Sequence, residues 1–374
     1  MPKKIGMLNH IQTLSHFVVG EKCGSDIKEM NNLNHLQGKL CISGLEHVSN
    51  PTDAAEANMK DKKNLEELNL NYSVNFKLNN NGGALDVLEV LQPNSNLKRL
   101  TVKDYIGNCF PNWLRGYHLP NLVSLKLKNC GLCSELPPLG QLPCLKELSI
   151  SHCDEIKTIG EEFYDNNNST SLLPFRSLEF LEFEKMDNWE EWLCLEGFPL
   201  LKKLCIRECP ELRAPLPQHF PSLQKLKIDD CKMLEASIPK GDSMIELHLQ
   251  KCDRILVNGL FTGLKNFVLC ENRYTEFSEE EYLVNCTVLE KLEVDLRGFV
   301  KHPSLDLRCY NSLRSLSITG CDSSSSLPFS LHLFTNLQFL HLYDFPQLES
   351  FPRGGLPSNL FVLEIWNCPK LIAS

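Results

Sequence analysis

One apolar pattern recurs along this chain and restricts its fold more than any other feature. The segment LVSLKLKNC at residues 122–130 returns as LKELSISHC at residues 145–153, so two copies of L-x-x-L-x-L-x-x-C stand 23 residues apart. Within the first copy Leu125 and Leu127 alternate with lysines, which is the period of a strand with one buried and one solvent-facing side. A period of this length indicates a solenoid, because one repeat cannot bury its own apolar side and must stack on its neighbours.

The same pattern continues through most of the chain. It predicts a single solenoid over residues 1–374, with an irregular lead-in at residues 1–35 and about fourteen repeats over residues 36–374. The first two strands are expected at residues 40–42 and 65–70. The later strands are expected to be centred on Leu100, Leu125, Leu148, Leu181, Leu204, Leu226, Leu247, Phe267, Leu292, Leu316, Leu340 and Leu363. We expect an α/β class, a curved horseshoe with a parallel β-sheet on the concave face and irregular loops and short helices on the convex face.

The segments between the strands differ in their helical tendency. Residues 53–63 are rich in alanine and charge and predict a short helix with Thr52 as its N-cap, and residues 84–91 predict a second one. The connector at residues 131–143 carries three prolines and two glycines, which indicates an extended or turning backbone. The last repeat ends just after its strand with no polar cap, so we expect the chain to be a fragment of a longer protein.

The chain has 17 cysteines, and the repeat explains many of them. Seven stand in the final position of the pattern: Cys130, Cys153, Cys209, Cys231, Cys252, Cys321 and Cys368. A thiol fits there because it is small and its S–H can donate weakly to a backbone carbonyl. We therefore expect reduced, packed thiols of an intracellular protein rather than a disulfide scaffold. Cys130 and Cys133 form a C-x-x-C, but a zinc site needs four converging ligands and Cys130 already has a packing role, so we expect no metal there.

Charge and motif content exclude several function classes. The net charge of −9 argues against a general nucleic-acid binder. No run of 18 apolar residues predicts a membrane span, and the N-terminus has no sustained apolar segment typical of a secretory signal. No G-x-x-x-x-G-K-[ST] is present to hold nucleotide phosphates, and no catalytic motif appears. We expect a cytoplasmic protein, or a nuclear one, that is not an enzyme and needs no cofactor.

The strand positions that flank the buried leucines would line the concave face. Near the N-terminal end they give Arg99, Lys103, Lys126 and Lys128, which we call the basic stripe. On an acidic protein these four residues are either ordinary surface charge or a contact for an acidic protein surface. Near the C-terminal end the same positions give Phe339, His341, Tyr343, Glu364 and Trp366, which we call the aromatic patch. Tyr and Trp are frequent hot-spot residues, so the patch is a candidate ligand surface, although Phe339 could instead pack on a terminal cap.

Several segments carry a family resemblance that covers essentially the whole chain. The most specific are LPPLGQLP at residues 136–143 and FEKMDNWEEW at residues 183–192, supported by FPNWL at residues 110–114 and GEEFY at residues 160–164. Residues 1–20 and 42–58 add to the match. Together they resemble the leucine-rich-repeat region of plant coiled-coil nucleotide-binding leucine-rich-repeat disease-resistance proteins, of the RPP13-like and RGA-like kind. In the leucine-rich-repeat signature Asn or Cys fills the final position of the pattern.

The resemblance to this family implies a function that the residues by themselves do not indicate. In this family the repeats recognise a pathogen effector or a modified host protein, and they hold a nucleotide-binding switch module inactive at rest. The basic stripe would then contact that module, of the same or a related receptor. The coiled coil and the nucleotide-binding module are absent from this sequence, so nucleotide binding does not carry over. The alternative is a free-standing repeat adaptor or decoy without a switch, and a ubiquitin-ligase adaptor would need a further ligase-binding segment.

Overall fold

The computed structural model describes most of the chain. The described residues are 4–20, 26–73, 83–164, 173–193, 198–213, 215–238, 243–257, 261–277, 286–298, 309, 311–320, 327, 330–351 and 354–371. The chain divides into two compact units, Met1–Leu201 and Lys202–Ser374, and each is described by itself.

The first unit is built on a parallel sheet. Its strands, in chain order, are β1 (His16–Val18), β2 (Gln37–Ser43), β3 (Asn64–Asn71), β4 (Arg99–Lys103), β5 (Ser124–Lys128), β6 (Glu147–Ser151), β7 (Thr158–Ile159), β8 (Phe180–Glu184) and β9 (Glu191–Trp192). In the described residues β1 to β6 and β8 pair in sequence order, while β7 pairs with β9 apart from them. Parallel neighbours joined by connectors in sequence order are the arrangement that a stacked repeat requires.

Strand β1 corrects the expectation of an irregular lead-in. His16 to Val18 pair in parallel with Cys41 to Ser43 of β2, and Phe17 is fully buried. Three residues are too few to show a period in the sequence, so only the pairing with β2 reveals the strand. This segment adds one strand ahead of the predicted first repeat.

The two predicted helices are both present, with different accuracy. Helix α2 (Ala84–Val90) agrees with the prediction to within one residue. Helix α1 (Pro51–Glu56) begins earlier than predicted, because Pro51 stands at its first turn and the Asn50 side chain, not Thr52, caps it by accepting from the Thr52 N–H. It also ends earlier, because Asn58 adopts a left-handed φ of 51°. A separate 3-10 turn follows at Met59–Asp61.

The second unit repeats the same architecture. Its strands are β10 (Lys203–Arg207), β11 (Lys225–Asp229), β12 (Glu235–Ser237), β13 (Glu246–Gln250), β14 (Arg254–Val257), β15 (Asn266–Cys270), β16 (Tyr274–Phe277), β17 (Lys291–Asp295), β18 (Ser315–Thr319), β19 (Phe339–Tyr343) and β20 (Val362–Trp366). In the described residues β12, β14 and β16 form a small separate sheet, and the others form the main parallel sheet. The predicted α/β solenoid class is therefore confirmed in both units.

Burial follows the leucine pattern. Leu125, Leu127, Leu340 and Leu342 are each fully buried, and every predicted strand centre lies in a strand. Burying one leucine contributes roughly 2 kcal/mol. Leu363 of β20 differs, because 39% of its surface is exposed. Stacked leucines therefore form the core of each unit, and the intervening positions are left to face outward.

Most repeats leave their strand through one residue with a left-handed backbone. The residue after the strand has a positive φ in most repeats: Asp104, Asn129, His152 and Lys185 in the first unit, and Glu208, Asp230, Lys251, Glu271, Asp344 and Asn367 in the second. Its backbone N–H still reaches the neighbouring strand, as Asn129 does by donating to the Ser151 carbonyl at 2.8 Å. The left-handed conformation turns the chain out of the sheet without losing a ladder hydrogen bond.

The repeat cysteines occupy the next position and make the bond expected of them. Six thiols donate to the carbonyl oxygen two residues earlier: Cys130, Cys153, Cys209, Cys231, Cys252 and Cys368. The S···O distances run from 3.3 Å for Cys209 to 3.8 Å for Cys130. All six are free thiols, which agrees with the packing role predicted for them. Cys321, the seventh, lies outside the described residues.

Candidate protein-binding surfaces

The basic stripe lies on neighbouring strands, as the pattern predicts. Lys103 of β4 stands directly opposite Lys128 of β5, and Lys126 stands opposite Thr101. Arg99, Lys103, Lys126 and Lys128 are exposed, while Leu125 and Leu127 between the lysines of β5 are buried. Side chains directly opposite on parallel neighbours are about 4.8 Å apart at the backbone, so these charges share one outward surface.

The structure divides the stripe into compensated and uncompensated charges. Arg99 Nε lies 3.2 Å from Glu67 Oε2, and Lys39 Nζ lies 2.6 Å from Glu67 Oε1. The pKa of the Glu67 carboxyl falls below its ordinary value, first because Lys39 donates to it and then because Arg99 does. Lys103 Nζ lies 3.6 Å from Asp104 Oδ2. Two of the four predicted positive charges therefore already have a carboxylate partner, which Arg99 shares with Lys39.

Lys126 and Lys128 are the other two residues of the basic stripe. Within the described part of the chain neither has a carboxylate within the 4.0 Å of an ion pair. Beside them lies a shallow depression of about 190 Å³, lined in part by Lys126, Lys128, Glu147 and Phe180. Its polar and charged lining suits a protein side chain better than a buried apolar ligand.

The aromatic patch is assembled by β19 and β20. Tyr343 stands directly opposite Trp366, and His341 stands opposite Glu364. The Tyr343 hydroxyl donates to Glu364 Oε2 at 3.3 Å, and the His341 and Tyr343 rings meet edge to face with centroids 6.3 Å apart. Burial first, and then the Glu364 carboxylate, raise the pKa of Tyr343. Trp366 is 65% exposed and Phe339 is 39% exposed, so large aromatic surfaces face solvent.

The C-x-x-C thiols are engaged individually. Cys133 Sγ donates to the Gly107 carbonyl at 3.4 Å, and Cys130 Sγ donates to the Lys128 carbonyl. Both thiols are buried; burial raises the pKa of Cys133, while a side-chain hydrogen bond with Cys153 and then burial raise the pKa of Cys130. Among the described residues no group of three or more His, Cys, Asp or Glu side chains is placed to hold a metal ion.

Sequence reasoning missed the carboxylate that pairs with Arg99. Glu67 lies 32 residues before Arg99 in the chain, yet it stands directly opposite Arg99 on the adjacent strand. Lys39 stands on its other side, opposite Glu67 in the pairing of β2 with β3. Aligning the repeats and reading the outward positions across strands, rather than along one strand, would have placed these three residues together.

A family model and several curated relatives match this chain. The model described as R13L1/DRL21 LRRs matches residues 27–153. The Arabidopsis thaliana protein named putative disease resistance RPP13-like protein 1 is 35% identical over 353 residues, which is 86% of this chain and 31% of that protein. Disease resistance protein RGA2 of Solanum bulbocastanum is 37% identical over 213 residues, or 55% of this chain and 22% of that protein. The chain thus spans about a third or less of the length of these relatives.

A solved structure supports the fold alone. The crystal structure of a TLR13–ssRNA13 complex aligns with a TM-score of 0.59 and 16% identity, covering 96% of this chain and 55% of that chain. In the described residues, no helix combines the length and the apolar character needed to cross a bilayer. The matching model, the relatives and the repeated parallel strands agree with one another. The chain is therefore a leucine-rich-repeat region of the kind found in the RPP13-like and RGA disease resistance proteins.

Proposed function

We propose that this chain is the protein-recognition module of a plant intracellular immune receptor. In this role its outward strand positions bind a pathogen effector or a modified host protein, and they also contact an acidic surface of a nucleotide-binding switch module. The relatives named as disease resistance proteins support the defence setting. A stacked-repeat scaffold supports protein binding rather than catalysis. The proposal places the chain in the cytoplasm or the nucleus, where such receptors would meet their ligands.

The observation that carries the proposal is the uncompensated lysine pair of β5. Lys126 and Lys128 project from the same strand and have no carboxylate partner among the described residues. Two like charges on one strand raise the local positive potential on a protein whose net charge is −9. Opposite potentials across an interface guide association and disfavour wrong partners. An acidic protein surface is the partner that this pair fits.

The test is binding of this chain to the nucleotide-binding module of a matched relative, supplied as a separate protein. Isothermal titration calorimetry would compare the wild type with the double variant Lys126→Glu, Lys128→Glu. We expect at least about a tenfold loss of affinity, together with a weaker dependence on salt, because the attractive charges are reversed. A wild-type chain that binds no such module would refute the switch contact.

The matched control reverses two other exposed lysines of the same unit. Lys63 and Lys157 are exposed, so Lys63→Glu, Lys157→Glu changes the net charge by the same amount. This control should bind as the wild type does. Equal losses in both double variants would show that only net charge matters, and would overturn the assignment to β5. Arg99→Gln should weaken binding less than Lys126→Gln, because Arg99 is already engaged in an ion pair with Glu67.

A further inference from the structure

The aromatic patch combines exposed rings with a carboxylate on one outward surface. Tyr343 and Trp366 face the same side as directly opposed residues of β19 and β20, and Glu364 precedes Trp366 by two positions on that side. The Tyr343 hydroxyl holds the Glu364 carboxylate at 3.3 Å, which fixes it beside the rings. One oxygen receives this bond, and the rest of the exposed carboxylate remains available to a donor from a ligand.

Two described cations on this part of the sheet are paired with carboxylates. Lys291 Nζ lies 3.2 Å from Glu293 Oε2, and Arg297 binds Asp295 at 2.7 Å and Asp344 at 3.4 Å. Glu364 has no cationic partner within 4.0 Å among the described residues. Among the described residues, the Glu364 carboxylate is therefore a negative charge without a cationic partner, opposite in sign to the lysine pair of the first unit.

We infer that the aromatic patch binds arginine side chains presented by a basic segment of a protein partner. A guanidinium is planar and weakly hydrated, so it can stack on Trp366 or Tyr343 while its N–H groups donate to Glu364. The inference rests on the proposed role in protein recognition and names the chemistry of one ligand. It assigns Tyr343 and Trp366 to ring contact, and Glu364 to charge pairing.

The exposed rings and the adjacent Glu364 carboxylate disfavour the binding of aliphatic or acidic protein segments. An aliphatic segment covering the rings would desolvate the adjacent carboxylate without supplying a charge, and an acidic segment would also repel it. The neighbouring strand β18 presents Ser315, Ser317 and Thr319, which stand opposite Phe339, His341 and Tyr343. These small polar side chains leave space beside the rings, where the backbone of a bound peptide can lie and form hydrogen bonds.

The test uses a fluorescently labelled peptide of repeated glycine, serine and arginine, with matched peptides in which lysine, glutamine or glutamate replaces every arginine. Fluorescence anisotropy would measure binding to the full chain. We expect the arginine peptide to bind most tightly, the lysine peptide more weakly and the other two least. Trp366→Leu and Glu364→Gln should each reduce the affinity for the arginine peptide about fivefold or more.

The chain supplies matched controls for both substitutions. Phe361 is an exposed aromatic residue that precedes the outward positions of β20, and Glu349 is an exposed carboxylate in the connector between β19 and β20. Phe361→Leu and Glu349→Gln should therefore leave the affinity within about twofold of the wild type. Thermal melts of all four variants should coincide with that of the wild type, since none of the side chains changed is buried.

Trp366 provides a second, independent measurement. Of the four tryptophans, Trp113, Trp189 and Trp192 are buried and Trp366 is 65% exposed. Acrylamide should therefore quench mainly Trp366, and saturating arginine peptide should protect it. Equal binding of the glutamine peptide, unchanged affinity in Trp366→Leu, or no protection of Trp366 would overturn the inference. None of these outcomes bears on the Lys126 and Lys128 experiment, which uses a different partner and a different surface.

Discussion

The side chain of Asn272 links two neighbouring repeats of the second unit by accepting from the Cys252 backbone N–H at 3.0 Å. Its Nδ2 also donates to the Leu249 carbonyl at 3.0 Å. In six described repeats a cysteine fills this position and donates to a carbonyl of its own repeat, as Cys252 does to the Gln250 carbonyl. The amide thereby binds both an N–H and a carbonyl of the preceding repeat, whereas the Cys231 thiol reaches the Ile206 carbonyl of its preceding repeat at the longer distance of 3.9 Å.

This relationship predicts a graded loss of stability at position 272. Asn272→Ala leaves a buried N–H and a buried carbonyl unpaired, so the free energy of unfolding should fall by roughly 2–4 kcal/mol. Asn272→Cys should cost less, because the thiol can still donate weakly to a carbonyl. Urea unfolding followed by circular dichroism would measure both. An alanine variant within about 0.5 kcal/mol of the wild type would contradict this account of the bond.

Thiol reactivity should follow burial. Cys144 is exposed, whereas Cys130, Cys153 and Cys252 are buried. A side-chain hydrogen bond with Cys153 and then burial raise the pKa of the Cys130 thiol, and burial raises the pKa of Cys252, so both have a lower thiolate fraction at neutral pH. A thiol-alkylating reagent applied to the native protein should therefore label Cys144 quickly and the other three only as the protein unfolds.

Mass spectrometry of labelled peptides over time would resolve each site. Cys144→Ser should remove the fast labelling at that peptide and leave the slow sites unchanged. If Cys130 and Cys153 were labelled as rapidly as Cys144, the repeat would have to open under native conditions, and the stacked core would be less stable than its burial indicates.

The left-handed residue that ends each strand predicts an opposite response to two substitutions. Lys251 is exposed and has a φ of 52°, a conformation that asparagine tolerates and that β-branched residues resist. Lys251→Asn should raise the free energy of unfolding by about 0.5 kcal/mol, and Lys251→Val should lower it by about 1–2 kcal/mol.

The control for this pair is Lys232, which is exposed and is not among the residues with a positive φ. The same two substitutions there should each change stability by less than about 0.5 kcal/mol. Should Lys251→Val match the control, the left-handed turn would impose no restriction on side-chain type. The ten such positions in the two units would then need another explanation.

Buried Lys62 predicts a pH dependence of stability. Its side chain is fully buried and Nζ donates to the Met30 carbonyl at 2.8 Å, and burial lowers its pKa to about 8 from 10.5. Below pH 8 both folded and unfolded chains carry the proton, so the cost of burying the charge is fully present. Above pH 8 the folded state releases the proton first, and the contribution of Lys62 should improve by about 2 kcal/mol between pH 7 and pH 9.5.

The measurement is the free energy of unfolding at both pH values in the wild type and in Lys62→Met. The difference between the two proteins isolates Lys62, because buried thiols with raised pKa values lower stability over the same range in both. A gain with pH that is identical in the two proteins would rule out Lys62 as its source.

Much of the architecture follows from the spacing of apolar residues. The twelve predicted strand centres from Leu100 to Leu363 lie in strands. They could be predicted because the alternation of apolar and polar residues along a strand is visible within one short stretch of sequence. The boundaries of α1 were wrong, since Asn50 outcompeted Thr52 as the cap and Asn58 broke the helix. Strand β1 was missed because only its pairing with β2, which the sequence does not show, identifies it as a strand.

The sequence by itself determined the solenoid, the identity of its buried leucines and which strand residues face outward. It could not determine which outward charges are balanced, because Glu67 and Arg99 meet only when strands 32 residues apart become neighbours. The tertiary structure thereby reduced the basic stripe to Lys126 and Lys128, and it placed Glu364 beside Tyr343 and Trp366. Periodicity is encoded within one repeat, whereas charge pairing depends on the register between repeats, which only stacking establishes.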